Sequence, residues 1–178
     1  MIRYWGVQTL SGAAQPWFGD ALTAAFVPAG GTGPQIVTVA STTRYAVGDR
    51  IILGVGQAGA VALMVDRIVN ATTLYCRSEG NAPVNAWANG TVLFLAINCN
   101  SISFQPLDGN TAAIWLGSSN LVAVAGGSSF RQMQKVAAGS IPDFWEYKPS
   151  TGQNSLNTDL GWMIGTAADK IVIAAHEN

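Results

Sequence analysis

Residues 36–97 run as strand, turn and strand again, almost without interruption. Short runs rich in β-branched and aliphatic side chains, Ile36–Val39, Arg50–Leu53, Ala60–Val65, Thr73–Cys76 and Thr91–Ala96, alternate with Gly, Asn, Asp and Ser. Runs of this length cannot make helices of several turns, and turn residues at such spacing mark an all-β sandwich or small barrel. Val47-Gly48-Asp49, Val69-Asn70-Ala71-Thr72 and Trp87-Ala88-Asn89-Gly90 supply the turns. Gly and Asp suit tight-turn geometry, Asn70 tolerates the left-handed region, and Asn-Gly ahead of an apolar run is a strong hairpin signal.

The same reading extends to residues 98–178. Ser101–Gln105 alternates polar and apolar, as a half-buried strand does. Ala113–Leu116, Leu121–Ala125, Phe130–Val136, Trp162–Ile164 and Lys170–Ala175 follow, separated by Gly, Asn and Asp turns. Residues 1–34 differ, with five aromatic side chains, no clean period of 2 or 3.6, and Pro16, Pro28 and Pro34 as punctuation. They read as an extended arm that docks its aromatics on a neighbouring surface, or as an edge strand of the first module. The expectation is therefore all-β: an N-terminal extended arm, 1–34, plus two small antiparallel modules. The first, 35–97, is β-barrel-like, and the second, 98–178, is a β-sandwich.

Composition points to assembly. Charged residues make up 11% of the 178, against roughly a quarter in ordinary domains. Hydrophobic residues make up 49%, more than one short chain readily hides, so a subunit contact is the expected cover. Net charge is −1 with Lys and Arg scattered singly, so no basic stripe exists for nucleic acid. No apolar run approaches the ~20 residues of a membrane span. The opening MIRYWGVQTLSG lacks the basic and apolar regions of a signal peptide, which places synthesis in a cytoplasm.

Candidate chemistry is sparse. Cys76 and Cys99 fit no zinc or redox spacing and read as buried free thiols, although a disulfide between neighbouring strands is also open to them. The single histidine, His176, stands two residues from the end and reads as a solvated tail side chain, which leaves nucleophilic triads and metal cages without their members. Asp143 and Glu146, beside Trp145 and Tyr147, form the one sequence-local pair of acids with aromatics that a glycan site could use. Core filling or an interface anchor explains the aromatics better. Gly54-Val55-Gly56-Gln57-Ala58-Gly59 has the spacing of a dinucleotide fingerprint, yet a strand and not a helix follows it, so it reads as a hairpin loop. No catalytic, cofactor or metal residue is expected.

The order of the turn motifs resembles modules of tailed-bacteriophage virion proteins. The matching positions are Val47-Gly48-Asp49, Val65–Ile68 with Thr73-Leu74, and Ala88–Val92 in the first half. In the second half they are Ile114-Trp115-Leu116-Gly117 with Ser118-Ser119-Asn120, and Trp162–Ile173. A turn expected between these is replaced by Ala138-Gly139-Ser140 and a longer aromatic stretch. The resemblance implies a capsid decoration, or cement, protein: a homotrimer on the capsid surface of the virion that holds major capsid proteins together. Tyr4, Trp5, Trp17, Phe18, Phe144 and Trp145 are the candidate contact residues for capsid or neighbouring subunit. A tail, adaptor or fibre-associated subunit is the alternative, and a carbohydrate-binding module using Trp145 and Tyr147 is a third.

Overall fold

The computed structural model describes residues 2–31, 33–54, 58–80, 82–83, 85–117, 129–133, 145–148, 156–157 and 161–177. Those residues are all-β and antiparallel, and they contain no helix. The chain divides into two compact units. Unit 2, Phe18–Ala96, is one continuous stretch, whereas unit 1 combines Met1–Trp17 with Ile97–Asn178. The division expected from sequence therefore shifts. Residues 1–34 are no separate arm, since their first half belongs to unit 1 and the remainder to unit 2.

In unit 2, strands β3 (Gly19–Ala21), β4 (Gln35–Thr38), β5 (Arg50–Leu53), β6 (Val61–Ile68), β7 (Thr73–Ser78) and β8 (Val92–Ala96) form one sheet. Its order is β3-β8-β5-β6-β7-β4. Burial alternates along β5 and through the first five residues of β6, as a pleated strand with one buried face requires. Ile51, Leu53, Leu63, Val65, Leu74, Leu93 and Leu95 supply the inner face, each burial contributing roughly 1.5–3 kcal/mol relative to exposure. No ladder closes the sheet into the barrel expected for this module. Its two edges meet at one point, where Leu22 bridges Val39 and the Thr23 N–H donates to Thr38 O at 3.0 Å.

The turns work largely as their residues dictate. Gly48 and Gly90 take positive φ, at 92° and 83°, where a Cβ is strained. Asp49 accepts the Ala46 N–H at 2.7 Å. Asn70 differs from expectation: its φ is not positive, and its Oδ1 accepts the Thr72 N–H at 2.9 Å. An Asx turn, not a left-handed residue, reverses the β6–β7 hairpin.

Unit 1 has two sheets. In the first, β1 (Ile2–Thr9), β15 (Lys170–Glu177) and β9 (Asn98–Pro106) lie side by side. Strands β12 (Trp145–Tyr147) and β13 (Leu156–Asn157) share the far edge of β9. The second sheet runs β11 (Ser129–Met133), β10 (Ile114–Gly117), β14 (Trp162–Ile164), β2 (Gln15–Pro16). The arrangement is consistent with a β-sandwich. Ile102, Phe104, Ile114, Leu116, Met163, Ile171 and Ile173 are buried at 0–1% exposure.

One buried carboxylate ties the ends of this unit's strands. Asp169, 3% exposed, accepts the Thr111 N–H at 2.7 Å, the Thr111 hydroxyl at 3.1 Å and the Ala112 N–H at 3.2 Å. Asn110 completes the clasp, donating to Lys170 O at 2.9 Å and accepting the Lys170 N–H at 2.8 Å. A buried charge is tolerated when its lone pairs are filled in this way.

Candidate functional site

The residues singled out by sequence reach very different places. Tyr4 and Trp5 lie in β1, whose backbone pairs with β15 from Ile2↔His176 to Thr9↔Lys170. Trp17 and Phe18 are core side chains, 2% and 0% exposed. Their expected role as docking anchors is corrected, because a side chain without surface has none to offer a partner. Trp17 is fixed by its own unit, donating its N–H to Gly161 O at 2.9 Å and its indole Nε1–H to Trp162 O at 2.7 Å. A Cβ on Gly161 would lie 2.0 Å from the Trp17 ring, so that glycine makes room for it. Phe144 lies outside the described residues.

Trp145 is half-buried in β12 and joins an aromatic cluster. Its ring stacks on Phe104 at 5.5 Å and 25°, with Tyr147 5.5 Å away. Trp17 meets Phe104 edge-on at 4.8 Å and Tyr147 at 5.7 Å. Such pairs contribute about 0.5–1.5 kcal/mol each beyond their area.

Register separates the acid of this cluster from its aromatics. Trp145 and Tyr147 lie opposite Phe104 and Ile102, both fully buried, so their rings point to the sandwich interior. Glu146 lies between them and points the other way. Its Oε1 accepts the Ser101 hydroxyl at 2.6 Å, and Lys148 approaches Oε2 at 3.0 Å. The Ser101 hydrogen bond, followed by Lys148, holds the Glu146 carboxyl below its ordinary value. Carboxylate and aromatics thus occupy opposite faces, and Asp143, the other acid of the expected pair, lies outside the described residues.

The histidine was misplaced by sequence. His176 is not a solvated tail side chain; it sits in β15, half-buried and opposite Ser101. Its Nε2 is 3.2 Å from Ser103 Oγ. That resembles half of a nucleophile pair, but Ser103 also donates to Ala174 O at 3.5 Å. The Ser103 hydroxyl is thus shared between the imidazole and a backbone carbonyl of the partner strand. The pair acts as a cross-strand clip. The signal available in sequence was the apolar run ahead of His176, long enough to carry the strand through it.

Other chemical candidates resolve similarly. Among the described residues no group of three or more His, Cys, Asp or Glu could hold a metal. Cys76 and Cys99 are both buried thiols. The glycine-rich stretch joins β5 to β6, paired as an antiparallel hairpin, as expected; residues 55–57 lie outside the described ones. A cleft of about 290 Å³ in unit 2, lined by Val61, Ala62, Ser78, Glu79 and Pro83 among others, is open to water. Its carboxylate, Glu79, is already engaged by Arg50 Nε at 2.6 Å. No helix among the described residues is long and apolar enough to cross a membrane.

No family model, no curated protein and no solved structure matches this chain.

Proposed function

We propose that this chain is a structural component of a tailed-phage virion, acting by binding and not by catalysis, and most specifically a capsid decoration protein. The observation that carries the reading is the order of the virion-like turn motifs. Each described motif falls on an element that needs it: Val47-Gly48-Asp49 opens β5, Asn89-Gly90 opens β8, Ile114–Gly117 is β10, and Trp162–Ile164 with Lys170–Ile173 builds β14 and β15. Low charge supports a binding role, since a charge-poor contact loses little to desolvation of ions and to screening. In the proposed arrangement a homotrimer sits over the capsid surface, and avidity across the lattice multiplies weak contacts with the major capsid protein.

Quantitative mass spectrometry of purified particles from the source tests this. A copy number in simple ratio to the major capsid protein is the expected result. A handful of copies per particle would move the chain to the tail or portal, and absence from particles would discard the virion reading. Moderate salt should leave the protein on the particle; release by salt would contradict a charge-poor contact.

A further inference from the structure

The outer face of the unit 2 sheet carries two cross-strand rows. Ile36, Tyr75 and Arg67 lie directly opposite one another across β4, β7 and β6. Arg77, Met64 and Arg50 do the same across β7, β6 and β5. Tyr75 and Arg77 are two residues apart on one strand, so both rows share a face. Ile36 is 53% exposed, and the side chains of Arg77 and Arg50 are 58% and 42% exposed. Arg, Tyr, Met and an aliphatic residue, with no Lys, is the composition of an interface centre, where aromatic residues, Met and Arg are enriched.

Charge is unevenly settled on this face. Arg50 pairs with Glu79 at 2.6 Å, and Arg77 with Asp66 at 3.5 Å while also donating to Met64 Sδ at 2.9 Å. Among the described residues Arg67 meets no carboxylate; its guanidinium lies over the Tyr75 ring, 4.7 Å from the centroid. Stacking holds the planar fork in place while leaving its donors outward, which lowers the ordering cost of a bidentate contact.

We infer that this face is a docking surface for a protein partner that places a carboxylate on Arg67 and apolar side chains around Ile36, Tyr75 and Met64. One unpaired guanidinium amid apolar groups matches a single acid on a mixed surface. It does not match a phosphate backbone, for which two of the three arginines are already neutralised, and one tyrosine gives no platform for successive bases. The inference concerns the chemistry of the contact and stands independently of the virion reading.

The test uses the full isotope-labelled chain, titrated by NMR with the tetrapeptide Ac-Leu-Glu-Leu-Ala-NH2 at millimolar concentration. Its Gln counterpart and octadeoxythymidylate serve as comparators. The Glu peptide should shift the amides of Ile36, Met64, Arg67 and Tyr75 and the Arg67 guanidinium signal, binding about tenfold more tightly than the Gln peptide, as one charge-assisted contact allows. Arg67→Ala should erase that preference, Arg67→Lys restore part of it, and Tyr75→Phe leave it intact. Equal binding of the two peptides, shifts elsewhere or none, or a preference surviving Arg67→Ala would each overturn the inference. So would tighter binding of the oligonucleotide, or self-association abolished by Arg67→Ala, which would put a second copy on the face.

Discussion

Unit 2 is one uninterrupted stretch whose central strands pair with their sequence neighbours, β5 with β6 and β6 with β7. Unit 1 is assembled from two stretches, and its defining ladders join strands far apart in the chain, β1 with β15 and β2 with β14. Both are antiparallel and charge-poor. The difference lies in where the information sits: in unit 2 a hairpin turn sets the register of its own flanking strands, while in unit 1 buried faces and the Asp169–Asn110 clasp must do so across the chain.

The largest break in this comparison should come from Phe104→Ala. Phe104 is fully buried and contacts both Trp17 and Trp145, so its removal should cost about 3–5 kcal/mol. Hydrogen exchange should show unit 1 losing protection while the β5–β7 amides keep theirs; a parallel loss in both would mean the units unfold as one. Asp169→Ala comes next. It strands two backbone N–H groups and a hydroxyl, at about 1–3 kcal/mol for each group left buried without a partner. Urea unfolding should show the loss on unit 1 signals alone.

Gly54→Ala is the corresponding strike at unit 2, with φ at +67° and the Trp87 ring 2.1 Å from the added Cβ. A cost of about 2 kcal/mol is expected, with the unit 2 amides responding first. An unchanged melting midpoint would show that the ring moves freely.

The smallest effect is in alkali, and each unit has one reporter. Burial, then the charge of Asp66, pushes the Cys76 thiol of unit 2 up to about 12. Burial, then Glu177, pushes Cys99 of unit 1 up to about 11. Folding therefore favours the protonated thiols. Their contribution is complete below the unfolded value of about 8.5 and is lost as pH rises through the folded values, Cys99 first. Thiolate absorbance should be absent from the native chain at pH about 9 and present in the urea-unfolded one; native thiolate there would contradict the burial.

Local features were legible because their causes are local. Arg50–Leu53 and Trp162–Ile164 fall where alternation and turn residues put them, and Asn89-Gly90 turns ahead of β8. The division into units was not legible, because nothing near Ile2 specifies that its partner is His176. Trp17 and Phe18 misled for a related reason: an aromatic that anchors a partner and one that fills a core have the same composition, and only the tertiary neighbours distinguish them. For the candidate site, alternation alone could have shown that Trp145 and Glu146 face opposite ways. The Arg67–Tyr75 pair needed register, which a bulge between Val65 and Arg67 shifts.

The insertion of unit 2 within unit 1 has a consequence during synthesis. All of unit 2 has left the ribosome once Ala96 emerges, and it can fold there. Strand β1, made before unit 2, must remain without its ladder until Lys170–Glu177 appears. At about 5–20 residues per second that wait is on the order of ten seconds. Throughout it an eight-residue strand with unfilled backbone hydrogen bonds is exposed to every other nascent chain nearby. A strand translated before unit 2 is thus secured only after it, and crowding on one messenger is where this fold is most open to exchanging strands with its copies.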